Sequence, residues 1–177
     1  MLSILIVEDE PLFAETLRHL VELNPLYRVT ALTDDRIGAL AAVSRRRPDL
    51  ALIDLQLANG STGFAVAAKL HDLGIPCLFT TGKAPDFPMP DLALGCLIKP
   101  FSEEDLVRAL KAAEDIIRGR ASVRVRPSRP GNLRLYAEEA AFAAAEPLGL
   151  LPSPERSNAR RGIRARAGRF WRRLSFG

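Results

Sequence analysis

The sequence predicts an α/β domain: a five-stranded parallel sheet, doubly wound with helices on both faces. Three observations point there. Apolar runs of strand length recur without alternation, as in Leu50-Ala-Leu-Ile53, which marks strands buried on both faces. Segments with apolar residues at helical spacing lie between those runs. Several runs end on a polar or charged residue followed by a loop, at the strand ends where open α/β sheets place their ligands.

The elements follow in order. Residues 2–7 are apolar and rich in β-branched side chains, hence a strand, and lead into Glu8, Asp9 and Glu10. Pro11 suits the first position of a helix, whose apolar side is Phe13, Leu17, Leu20 and Val21. Residues 28–32 form a second strand. Asp34 and Asp35 are candidate caps for the next helix, which presents Ile37, Leu40, Ala41 and Val43 and closes on Arg45, Arg46 and Arg47. Residues 50–57 contain the third strand, with Asp54 at its end, and the turn-rich Ala58-Asn-Gly-Ser-Thr-Gly63 follows. A third helix carries Phe64, Val66, Ala67, Leu70 and Leu73 and stops at Gly74.

Residues 75–81 form the fourth strand, with Pro76 at its start. Pro85, Pro88 and Pro90 then argue against a long helix, so a loop or a stub of helix is expected before the fifth strand at 94–98. Lys99, Pro100 and Phe101 end that strand. Ser102 to Asp105 has the form of a capping box for a last helix with Leu106, Leu110, Ala113 and Ile117 on its apolar side.

Charge divides the chain. Residues 1–118 hold 12 basic and 17 acidic side chains, a net of −5, and residues 119–177 hold 13 and 4, a net of +9. This asymmetry suggests two separate tasks. Residues 1–118 are expected to form the globular domain. Residues 119–155, broken by prolines and glycines, read as a linker with an alanine-rich short helix candidate from 133 to 146. From 156 to 177 there are eight arginines and no acids, with Ile163, Ala167, Phe170, Trp171 and Leu174 on one helical face. That segment is either a basic amphipathic helix or a disordered tail. As a helix it suits an anionic membrane surface better than nucleic acid, since phosphate tracking needs charge alone.

Cys77 and Cys96 lie in apolar stretches without metal-ligand spacing and read as reduced core residues. His19 and His71 fall in helices and read as surface residues. The N-terminus has no basic leader or cleavage pattern, and no apolar run approaches the ~20 residues of a membrane span. A cytoplasmic protein is expected, peripheral to the inner membrane face if the tail binds lipid.

The parallel arrangement brings Glu8, Asp9, Asp54, Thr81 and Lys99 to one sheet edge. Three adjacent carboxylates repel one another, and a hard divalent cation relieves that; Mg²⁺ takes oxygen ligands and keeps several waters. Lys99 can contact an anion at the metal, and Thr81 can donate a hydrogen bond to it. Asp54 in such surroundings is suited to accepting a phosphoryl group.

With these residues in place, residues 1–118 resemble the receiver domain of bacterial two-component response regulators, which has a flavodoxin-like fold. The resemblance implies that Glu8 and Asp9 are the acidic metal-binding pair and that Asp54 is the phosphoacceptor and a metal ligand. Gln56 would lend its backbone carbonyl to Mg²⁺. Thr81 with Gly82 matches the family's hydroxyl residue and its small neighbour, and Lys99-Pro100-Phe101 its lysine-proline segment. The implied donor is a sensor histidine kinase or a histidine phosphotransfer protein, and the implied output is protein–protein signalling without an enzymatic activity.

Two features depart from the family. Cys96 stands where an aromatic switch residue is usual, and the helix after the fourth strand is curtailed. Phe79-Thr-Thr-Gly-Lys83 looks like the receiver subgroup named for a Phe-Ala-Thr-Gly-hydrophobic motif, with Thr80 and Lys83 as departures. Three other readings compete or coexist. A haloacid-dehalogenase-like phosphatase would need a second Asp where Gln56 stands. A scaffold that keeps only the fold would not need the complete acidic set. A membrane- or nucleic-acid-associated regulator acting through the arginine-rich tail is compatible with the receiver reading.

Overall fold

A computed structural model describes residues 1–58, 60–120 and 132–136. β1 (Leu2–Val7), β2 (Tyr27–Thr33), β3 (Leu50–Asp54), β4 (Cys77–Thr81) and β5 (Gly95–Ile98) make one parallel sheet in the order β2-β1-β3-β4-β5. β1 therefore lies beside both β2 and β3, and the chain reverses its direction of travel across the sheet there. In open α/β sheets this switch point is where the crevice for a ligand opens.

The helices cover the two faces in pairs. α1 (Pro11–Glu22) and α4 (Glu103–Ile117) pack on one face, where Leu17, Val21, Leu106 and Leu110 meet Ile4, Ile6, Leu50 and Leu52. α2 (Arg36–Arg45) and α3 (Gly63–Asp72) cover the other face, where Ala39, Val66 and Leu70 meet Leu5, Val7, Ala51 and Ile53. Alternate strand residues thus feed opposite cores, which explains why the strand sequences are apolar throughout.

The helix ends obey the local rules. Pro11 occupies the first turn of α1. The Asp35 carboxylate accepts the Gly38 N–H at 2.7 Å and caps α2. Ser102 and Asp105 form a reciprocal capping box on α4. Gly74, at φ 66°, follows the end of α3 in the left-handed conformation that glycine adopts without a Cβ clash. Residues 82–94 contain no helix, as the prolines require. Cys77 and Cys96 are buried, while His19 and His71 are exposed.

One expectation is corrected. The sheet has six strands, because β6 (Leu133–Leu135) adds to β5 antiparallel, within the segment read as linker and short helix. The alanine-rich composition from 137 onward drew the helical reading, whereas Leu133 and Leu135 alternate with Arg134 as a strand does. The β5 edge needs partners for its backbone groups, and β6 supplies them. Gly95 makes the approach possible, since a Cβ there would lie 2.2 Å from the Arg134 carbonyl oxygen. Leu135 and Tyr136 are buried, and Tyr136 joins the cluster that holds Phe79 and Cys96. Residues 121–131 and 137–177, including the basic 156–177 segment, lie outside the described residues. No helix among the described residues is long and apolar enough to cross a membrane.

Candidate functional site

The site is built where β1, β3 and β5 end. Glu8 leaves β1 with its backbone N–H donated to the Thr33 carbonyl at 2.9 Å, and its side chain is only 2% exposed. Asp54 closes β3 with a side chain 8% exposed. Lys99 follows β5, and its ammonium donates to Asp54 Oδ2 at 2.7 Å and to Glu8 Oε2 at 2.9 Å. Asp9 completes the group: carboxylate oxygens of Glu8, Asp9 and Asp54 lie within 4.8 Å of one another.

Each side chain is held by a local device. Asp54 Oδ1 accepts the Gln56 N–H at 2.9 Å, which fixes the carboxylate while Oδ2 faces the lysine. Asp9 Oδ2 accepts the Ala58 N–H at 2.9 Å, so the loop after β3 is tied to the loop after β1. A bridge between Gln56 and Thr62 closes the β3–α3 loop. Gly63 then lets α3 start against β3, since a Cβ there would lie 2.1 Å from the Asp54 carbonyl oxygen. The Lys99 ammonium lies 4.2 Å from the centroid of the Phe13 ring, within cation–π range. Phe13 in turn meets Phe101 edge-on, with centroids 6.0 Å apart. The Lys99 N–H donates to the Thr81 carbonyl at 2.7 Å.

Burial pushes the Glu8 carboxyl up to about 7, against the hydrogen bond and charge of Lys99, and the Asp54 charge adds to the rise. Burial acts to lower the Lys99 ammonium, but its hydrogen bonds to Asp54 and Glu8 and their charges outweigh that and hold it above the ordinary range. With all three carboxylates ionised, one ammonium leaves two negative charges uncompensated. Oxygen donors at this spacing fit a hard divalent cation.

The structure therefore brings together Glu8, Asp9, Asp54 and Lys99, as the sequence predicts. Gln56 contributes its N–H to Asp54, and its side chain is exposed. Thr81 differs from expectation. Its hydroxyl donates to the Lys83 carbonyl at 3.0 Å and accepts the Lys83 N–H at 3.3 Å, a local turn that serine and threonine favour. Its carbonyl, not its hydroxyl, holds the lysine segment. Sequence reasoning missed Phe13 as a site residue, having assigned it to the core by helical spacing. It also missed Gly63, for which a glycine at the first turn of a helix directly after a cap residue is the available signal.

Residues 4–111 match the family described as response regulator receiver domain. The chain belongs to that family. It is 33% identical over 136 residues to the positive alginate biosynthesis regulatory protein of Pseudomonas aeruginosa, an alignment covering 73% of this chain and 54% of that protein. The chain spans about half the length of the curated relatives it matches. Among solved structures, the PhyR receiver domain of Erythrobacter litoralis is similar at 30% identity and TM-score 0.56, over 64% of this chain and 89% of that one. A CheY-like receiver of Methanospirillum hungatei shares the fold at TM-score 0.61 and 24% identity, over 68% of this chain and 99% of that one. This receiver domain is thus of the kind used in two-component systems, and its Glu8, Asp9 and Asp54 carboxylates form an acidic cluster that could hold a metal ion.

Proposed function

We propose that Asp54 accepts a phosphoryl group from a phosphohistidine donor and that the occupied site is then read by a protein partner. The observation that supports this most directly is the Lys99 ammonium at 2.7 Å from Asp54 Oδ2, inside a three-carboxylate cluster. An Asp54 oxygen attacks phosphorus, the P–N bond breaks, and its electron pair stays on the imidazole nitrogen of the donor. The donor ring carries a proton on its other nitrogen, so the phosphoramidate becomes an acyl phosphate and a neutral imidazole. The Gln56 N–H holds Asp54 in orientation, and Lys99 can shift from the carboxylates to a phosphoryl oxygen without leaving the pocket. Such transfer depends on positioning and charge stabilisation.

Glu8, Asp9 and Asp54, with the Gln56 carbonyl, are the residues that would hold Mg²⁺. When bound, the ion supplies charge neutralisation for the incoming phosphoryl oxygens. Thr81 would have to leave Lys83 to donate to that group, so its proposed role requires a change in the turn after β4. The donor is a sensor histidine kinase or a histidine phosphotransfer protein, and the output is a protein–protein contact.

Incubation with acetyl phosphate and Mg²⁺, read by intact mass, tests the reading. A single added phosphate is expected, abolished by chelator and by Asp54→Asn. Full labelling of the Asn variant would overturn the assignment.

A further inference from the structure

Asn132 stands at the start of β6, 33 residues after Lys99 in the chain, yet it is bonded on both sides of that lysine. Its backbone carbonyl accepts the Ile98 N–H at 2.7 Å. Its side-chain amide donates to the Pro100 carbonyl at 2.8 Å and to Asp105 Oδ2 at 3.3 Å. The Lys99 N–H is itself bound to the Thr81 carbonyl. Three successive residues, Ile98, Lys99 and Pro100, are thereby anchored by two neighbours on opposite sides. We propose that Asn132 is a positioning residue for Lys99, setting the backbone from which the ammonium reaches Asp54. This rests on the reading of Asp54 as the phosphoryl acceptor.

The chemistry of the position fits this role. β5 ends at Ile98, so no strand ladder continues to hold Pro100, and proline has no N–H of its own. The Pro100 carbonyl finds its partner in the Asn132 amide. The same amide touches Asp105, whose Oδ2 also takes the Ser102 N–H and hydroxyl, each at 3.0 Å. A group that donates at once to a carbonyl and to a carboxylate needs two hydrogens on one nitrogen, which an asparagine amide has. Aspartate would face both with lone pairs, and serine would have one hydrogen to offer. Asn132 thus joins β6, the lysine segment and the cap of α4. Small displacements of a group that meets reacting atoms cost large factors in rate.

The test uses the full chain, acetyl phosphate and Mg²⁺. Asn132→Ala should slow labelling of Asp54 about tenfold or more, while the Mg²⁺ dissociation constant stays within twofold. Asn132→Ser, which keeps one donor, should fall between and guards against loss of fold. In a Lys99→Ala background the same substitution should add less than a twofold effect, because Asn132 acts through the lysine. Amide exchange at Lys99 should speed about tenfold in Asn132→Ala, with Leu52 at the sheet centre unchanged. Labelling at the wild-type rate, an equal slowing in the Lys99→Ala background, or unchanged exchange at Lys99 would each overturn the proposal while leaving Asp54 as acceptor. If the wild-type chain takes no phosphate at all, the acceptor reading falls, and this one with it.

Discussion

Lys99 Nζ lies 2.7 Å from Asp54 Oδ2, joining the end of β5 to the end of β3 across β4. The same ammonium reaches Glu8 after β1, so one cation serves two carboxylates from two strands. Breaking a buried pair leaves its partner charge without compensation. Lys99→Ala should therefore destabilise the metal-free protein by about 2–3 kcal/mol at pH 8, less than for a fully buried pair because the lysine is partly exposed. Mg²⁺ should restore part of that loss in urea unfolding, and its affinity should be no weaker than in the wild type. A tenfold weaker Mg²⁺ affinity would mean that the lysine supports the metal ligands directly.

Glu8 gives the metal-free protein a pH dependence of definite sign. Its carboxyl stands at about 7 when folded against 4.5 as its ordinary value, chiefly through burial. The folded state holds that proton more tightly than the unfolded chain. Stability should accordingly fall as pH rises from 4.5 to 7 and level off above. The loss is on the order of 3 kcal/mol, at 1.4 kcal/mol per pH unit of difference. Asp49 and Asp105 are held below the ordinary range, so they act below about pH 4, where stability is lost on acidification. Urea unfolding in chelator across pH 4.5–8 checks this, and Glu8→Gln should flatten the slope. An unchanged slope in that variant would assign the effect to another group.

The close approach at Gly63 predicts a large effect from one methyl group. An added Cβ would meet the Asp54 carbonyl oxygen at 2.1 Å and Leu55 Cα at 2.7 Å, both backbone atoms that cannot rotate away. Gly63→Ala should cost about 3 kcal/mol and slow labelling of Asp54, because α3 can start only by displacing the end of β3. Gly82→Ala is the control. A Cβ there meets nothing within 4 Å, so its effect should stay within about 0.5 kcal/mol. Equal stability of the two variants would refute the packing argument.

Much of the site is readable in the sequence because its residues sit at strand ends. Glu8, Asp54 and Lys99 each follow an apolar run directly, so the parallel topology alone brings them to one edge. The Ser102–Asp105 cap and the Pro11 helix start are equally local. What escaped depends on contacts between distant segments. Phe13 has ordinary helical spacing, and only the folded structure sets its ring against an ammonium from residue 99. The Thr81 hydroxyl bonds to the Lys83 backbone two residues on, a local turn that the strand-end pattern does not announce. β6 is three residues long, too short for a periodic signal, and its pairing depends on Gly95, 38 positions before Leu133.

β6 carries the sheet beyond residue 118. The expected boundary at residue 118 falls before Leu135 and Tyr136, which are 8% and 2% exposed. A chain ending at Arg120 loses both side chains from the core and uncovers the β5 edge. Each buried side chain of this size contributes about 1.5–3 kcal/mol, partly offset by the entropy of ordering the segment. The chain ending at Arg120 should thus be roughly 3 kcal/mol less stable than one ending at residue 140, with a smaller dependence on urea because less surface is buried. Gly95→Ala in the longer chain should reproduce most of the loss, since its Cβ would meet the Arg134 carbonyl oxygen and push β6 away. Fluorescence quenching of Tyr136 separates detachment of β6 from general unfolding: Tyr136 should become accessible in Gly95→Ala while Tyr27 stays buried. Equal stability of the two truncated chains, or a Gly95→Ala variant with Tyr136 still buried, would show that the sixth strand adds nothing to the fold.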